Sequence, residues 1–131
     1  PRRKIDDAMR LVFEPDPVPA DYGRNFAAGL TLRRKVLAEN ARQVNELRPH
    51  VVDMSARYHG LTLPVEIVHG TADTIVPPEV HARPLARLLP DAVLTLIDGV
   101  GHMPHHAAPE DVVAAIHRAA ERADLRGQTT T

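Results

Sequence analysis

The chain has 131 residues, enough for one domain of ordinary size and too few for two. Apolar residues at 44% and charged residues at 25% exclude a disordered or fibrous chain, and 16 basic against 17 acidic side chains leave no field to draw in nucleic acid or anionic lipid. With no cysteine, disulfides, thiolate metal sites and a cysteine nucleophile are excluded together. No run approaches the roughly 18 apolar residues of a membrane span, and no charged-then-apolar leader opens the chain. A soluble, cytoplasmic protein acting on small molecules, without a cofactor, is the expectation.

Arg2 to Phe13 reads as a short helix that must end before Pro15. Pro15, Pro17 and Pro19 fall within five residues, forbid a continuing helix and make an extended connector. From Asp21 to Gly60, Leu32, Val36, Leu37, Val44, Leu47, Val51, Met54 and Tyr58 recur near three- and four-residue steps. This predicts two or three amphipathic helices, broken around Gly29 and Pro49 and stopped at Gly60. The period then changes. "LPVEIVHG" is β-branched and bounded by Pro64 and Gly70, so it predicts a strand. A helix from about Pro78 to Leu89 follows, with proline and acid at its start and Pro84 set to kink or divide it. "AVLTLID" is apolar on both faces, as a parallel strand covered by helices is. "PEDVVAAIHRAAERA" then opens with Pro109, Glu110 and Asp111 and carries an apolar face of Val112, Val113, Ile116 and Ala120, which predicts a terminal helix before a frayed 126–131 tail.

Strand, helix and strand from Leu63 to Asp98 make a βαβ unit with parallel strands and a right-handed crossover. Both strands then end at one sheet edge, where open α/β sheets place their ligands. Asp73 and His102 lie in the two segments leaving that edge. Two parallel strands do not make a stable sheet alone, so the unit is expected to belong to a larger one, and its unpaired flank to favour aggregation.

An acid and a histidine meeting there would be the orienting half of a nucleophile–His–acid triad. The run from Leu63 to Ile116 resembles the C-terminal part of the α/β-hydrolase fold family. "HGTADTIVP" matches the acid loop, "LPDAVLTLIDGVGHM" the last strand with its histidine loop, and "APEDVVAAI" the terminal helix. The resemblance spans about Leu61 to Ala123, and residues 15–60 resemble, less specifically, the helical cap of such enzymes. It implies a division into a cap-like segment and connector over 1–60, the βαβα part of the core over 61–125 and the tail. It also implies that Asp73 is the triad acid and His102 the general base. The parent would be a serine-type hydrolase of a small apolar ester or lactone; C–C bond hydrolases, epoxide hydrolases and dehalogenases share the same half.

The chain departs from the family at the nucleophile. Its one serine, Ser55 in "VDMSARYHG", lacks flanking glycines, and no G-x-S-x-G occurs. The expectation is therefore a C-terminal fragment, inactive alone, whose partner is the missing N-terminal half of the fold. A noncatalytic binding module on the same scaffold is the alternative.

Competing readings accompany each residue. Asp73 could be a turn former, and Asp98 in "IDGVGH" an alternative acid or ordinary turn chemistry. His102 could be a hydrogen-bonded loop histidine, and His69 reads as a packed one. His102, His105 and His106 invite a metal, but Pro104 interrupts them and no helix sets their spacing, so none is expected and the latter two read as rim residues. Arg33, Arg34 and Lys35 read as a solvated helix face. Phe26, Leu30, Met54 and Tyr58 read as helix packing, with contact to a substrate's apolar part as the alternative.

Overall fold

The β-branched run Val65–Gly70 forms β1 and the apolar run Ala92–Ile97 forms β2, in a computed structural model that describes residues 2–25 and 33–129. The two strands pair in parallel, with Val65 opposite Ala92 and Gly70 opposite Ile97. Before them come α1 (Arg2–Phe13), α2 (Tyr22–Asn25), α3 (Arg34–Ser55) and a 3₁₀ turn at Tyr58–Gly60. Between them lies α4 (Ala82–Leu88), and after them α5 (Pro104–Ala107) and α6 (Pro109–Thr129). This is the βαβ order and the α/β class that the apolar patterning predicts. Among the described residues no strand joins the outer edge of β1.

Helix α6 packs on β1 and closes the core, with Ala115 buried on its inner face. Glu66 is the polar rivet of that contact. Its buried carboxylate accepts two bonds from Arg118, at 3.1 and 3.0 Å, and one from Arg122 at 2.7 Å. Arg122 also donates to the carbonyl of Asp91 at 2.9 Å, so β1, the turn into β2 and α6 share one ion network. A carboxylate taken out of water is tolerated because both its oxygens are satisfied in this way.

Several elements differ from their sequence patterns. Pro49 does not break the helix: α3 runs unbroken from Arg34 to Ser55. The hydrogen bond that Pro49 cannot make frees the carbonyl of Asn45, and that residue is exposed, so water can satisfy it. The helix expected from Pro78 begins only at Ala82, after turns in which Val80 and His81 donate to the carbonyl of Pro77. Pro84 thereby falls in the first turn, where a missing N–H has no partner to lose, and no kink results. Helix α6 continues to Thr129, so residues 126–129 of the expected tail are helical. The predicted break at Gly29 and the apolar residues Phe26, Leu30 and Leu32 lie outside the described residues.

Helix α3 buries none of its residues. Its stripe is as the spacing predicts, but Val44 at 68% and Leu47 at 54% face solvent, and Met54 is 40% exposed. The N-terminal segment is anchored elsewhere. Phe13, at the end of α1, is the largest fully buried side chain among the described residues and stands edge-on to Tyr22 at 4.8 Å and tilted against His106 at 5.4 Å. Tyr22 and His106 close the triangle at 5.4 Å. His106 is exposed, as expected of a rim residue, yet supplies one wall of this cluster. Truncating Phe13 to Ala removes the ring from that site, and chemical denaturation should register a loss of about 3 kcal/mol or more. A loss below about 1 kcal/mol would mean that the cluster does not hold α1 in solution.

Candidate active site

The parallel register brings Gly70 and Ile97 abreast, so the segments that follow leave the same edge together. They are then laced to each other. Thr71 donates its N–H to the carbonyl of Ile97 and Ala72 donates to that of Val100, both at 2.9 Å. The Thr71 hydroxyl donates to Asp98 Oδ1 at 3.1 Å and accepts the Gly99 N–H at 2.9 Å. Asp98 is thus the partner of Thr71 in a loop-to-loop link.

Two glycines make this stacking sterically possible. A β-carbon at Gly70 would overlap the carbonyl oxygens of Val100 and Gly101, and one at Gly101 would overlap that of Glu14. Three backbone layers therefore lie in direct contact: the connector after α1, the histidine loop and the end of β1. Asp16 secures the outermost layer by accepting the Gly101 N–H at 2.9 Å.

The acid sits beneath this stack. Asp73 is 6% exposed, and its Oδ1 accepts the backbone N–H groups of Ile75 at 2.9 Å and Val76 at 2.8 Å. This is an aspartate-capped turn, the local chemistry that "TADTIVP" encodes. Its Oδ2 lies 2.9 Å from Nδ1 of His102. Burial alone would raise the carboxyl's pKa, but the Val76 N–H, the His102 ring and the Ile75 N–H together outweigh it and hold the group below the usual carboxylate range. An ionised Asp73 only accepts, so Nδ1 of His102 carries the proton and donates, leaving Nε2 on the far side of the ring as a free base. The His102 side chain is 32% exposed, which leaves that nitrogen approachable.

The structure brings both predicted site residues together, and it adds a third. Nε2 of His69 lies 2.8 Å from the carbonyl oxygen of Val76 and 3.3 Å from Oδ2 of Asp73. His69 fits the packed reading in being part-buried, but it is packed against the acid itself. His105 and His106 lie beyond the pair, with ring centres 4.5 Å apart. Among the described residues no group of three or more His, Asp or Glu side chains is arranged to hold a metal ion, and no helix is long and apolar enough to cross a membrane. The Ser55 hydroxyl donates to the carbonyl of Val52 at 2.8 Å, back onto its own helix.

A carboxyl whose pKa is depressed on folding stabilises the fold above its unfolded value and loses that contribution as pH falls through the folded value. For Asp73 the stabilisation is complete above about pH 4 and disappears below it. Asp73→Asn should cost about 1–3 kcal/mol at pH 7, with the gap to the unaltered chain closing below about pH 4. Urea denaturation of both chains across this range measures it; a gap independent of pH would mean that Asp73 is not ionised in the fold.

No family model matches the chain. It is similar to the polyketide synthase ThaQ of Burkholderia thailandensis, 34% identical over 111 residues, which are 82% of this chain and 5% of that protein. It is also similar to a pimeloyl-[acyl-carrier protein] methyl ester esterase of Aromatoleum aromaticum, 38% identical over 64 residues, 49% of this chain and 25% of the esterase. The chain thus spans a quarter or less of the length of these curated relatives. A solved α/β hydrolase enzyme from the metagenome of Mar Chica lagoon sediments, Morocco, matches 70% of this chain and 46% of its own at 27% identity, with a TM-score of 0.47. The chain thus joins a parallel βαβ order and an acid–histidine pair at its strand ends to a stretch of 64 residues similar to an esterase, and in this it resembles the α/β-hydrolase family.

Proposed function

We propose that the chain supplies the acid and the base of a triad that hydrolyses a carboxylic ester, lactones included, with the nucleophile contributed by sequence outside these 131 residues. One observation carries this reading: the 2.9 Å contact between Nδ1 of His102 and a buried Asp73, at the ends of two adjacent parallel strands. The pair has the geometry of a general base held by its orienting acid. The esterase relative favours an ester over the other bonds that the fold's enzymes cleave.

In the proposed reaction Nε2 of His102 takes the proton of the attacking hydroxyl as it adds to the ester carbonyl. Asp73 stabilises the imidazolium that forms. The imidazolium then returns its proton to the departing alkoxide as the ester C–O bond breaks, so the alcohol leaves and the acyl group stays on the nucleophile as an acyl-enzyme. A water, deprotonated by the same nitrogen, attacks the acyl group, and as the carboxylic acid leaves, the imidazolium returns its proton to the nucleophile's oxygen, restoring the free hydroxyl and the neutral imidazole. The sequence holds no G-x-S-x-G elbow, and its one serine, Ser55, is turned onto its own helix, which supports a nucleophile supplied from outside the chain.

The purified chain should therefore hydrolyse p-nitrophenyl esters no faster than its His102→Ala variant. Joined to the nucleophile-bearing part of its parent, it should gain turnover that His102→Ala lowers by about three to four orders of magnitude. Turnover by the chain alone that depends on His102 would overturn the requirement for an outside nucleophile. A joined enzyme indifferent to His102 would overturn the triad and leave a noncatalytic binding module.

A further inference from the structure

Asp73 faces two histidines, and the triad uses one. Nε2 of His69 lies 2.8 Å from the carbonyl oxygen of Val76, a group that can only accept, so Nε2 carries a proton. The same N–H lies 3.3 Å from Asp73 Oδ2, the oxygen that faces His102. Val76 is bound twice: its N–H holds Oδ1 of the acid, and its carbonyl is held by His69. His69 itself sits near the end of β1, in register with Leu96 of β2.

We infer that His69 is a positioning residue that locks the turn from Asp73 to Val76 onto β1 and aims the Asp73 carboxylate at His102. Without it, the carboxylate would hang from a turn tied down by its own backbone. With it, the turn whose two backbone N–H groups hold Oδ1 is fixed through the Val76 carbonyl, and Oδ2, which faces the His102 ring, has the edge of His69 3.3 Å away, so the carboxylate plane has little freedom left. The residue touches no reacting atom; it acts through Asp73. The inference rests on the hydrolase reading only for its consequence in catalysis, because the geometry exists without a nucleophile.

Two effects oppose each other when His69 is removed. Loss of the N–H edge near Oδ2 makes the carboxylate more basic and would raise the pH midpoint of His102; loss of positioning through Val76 weakens its grip and would lower it. A positioning role requires the second to win. The imidazole signals of the full chain, followed by NMR from pH 4 to 9, decide it. In His69→Phe the midpoint of His102 should fall by about 0.5 or more, roughly a three-fold weaker hold on its proton. In His69→Gln, whose amide can donate in place of Nε2, the midpoint should return towards that of the unaltered chain. An unchanged or raised midpoint in His69→Phe, or a Gln variant no better than Phe, overturns the assignment. Should the Phe variant fail to fold, the long-range ¹H–¹⁵N spectrum of the unaltered chain decides instead: a protonated Nε2 on His69 supports the role and a bare one overturns it. Neither measurement involves turnover, so failure here is separable from failure of the proposed ester chemistry.

Discussion

The parallel pairing of β1 with β2 is the constraint on which the rest depends. Parallel strands end at the same edge, and a register that sets Gly70 beside Ile97 delivers the acid loop and the histidine loop to one place. Had the strands been antiparallel, Asp73 and His102 would have emerged at opposite ends, about 20 Å apart for strands of this length. The crossover through α4 enforces the parallel arrangement, and the Glu66–Arg118–Arg122 network fastens it to α6. A site of two side chains thus draws on the whole βαβα unit.

Closeness of the loops is a second requirement, met by removing side chains. Gly70 and Gly101 let the connector, the histidine loop and the strand end stack without intervening atoms. Asp16 then reaches across 85 positions to fix the loop that presents His102. The acid loop is tightened from inside by the Asp73 turn and from below by His69. Depression of the Asp73 pKa follows from this arrangement: donors on both oxygens overcome the burial that would otherwise neutralise it. The ionised acid in turn dictates which nitrogen of His102 is free.

The meeting of Asp73 and His102 was legible in the sequence because its signals are local: a strand ending in glycine, followed by an acid in turn chemistry and by a second strand parallel to the first. The strands were legible because apolar β-branched runs bounded by Pro and Gly have few other uses. Pro49 misled because its penalty depends on whether a freed carbonyl can meet water, which is a tertiary property. The start of α4 was misplaced because prolines at 77 and 78 favour turns as readily as a helix start. Asp16 and His69 were not legible as site residues. Asp16 acts across the whole chain, and His69 shows its role only when the turn folds the Val76 carbonyl back over β1.

An ionised Asp73 leaves Nε2 of His102 bare. The long-range ¹H–¹⁵N spectrum of His102, recorded where the ring is neutral, tests it most directly. A proton on Nδ1 and none on Nε2 is expected, with the tautomer reversing in Asp73→Asn as the amide becomes the donor. A proton on Nε2 of the unaltered chain would contradict it, because a ring in that state cannot accept a nucleophile's proton.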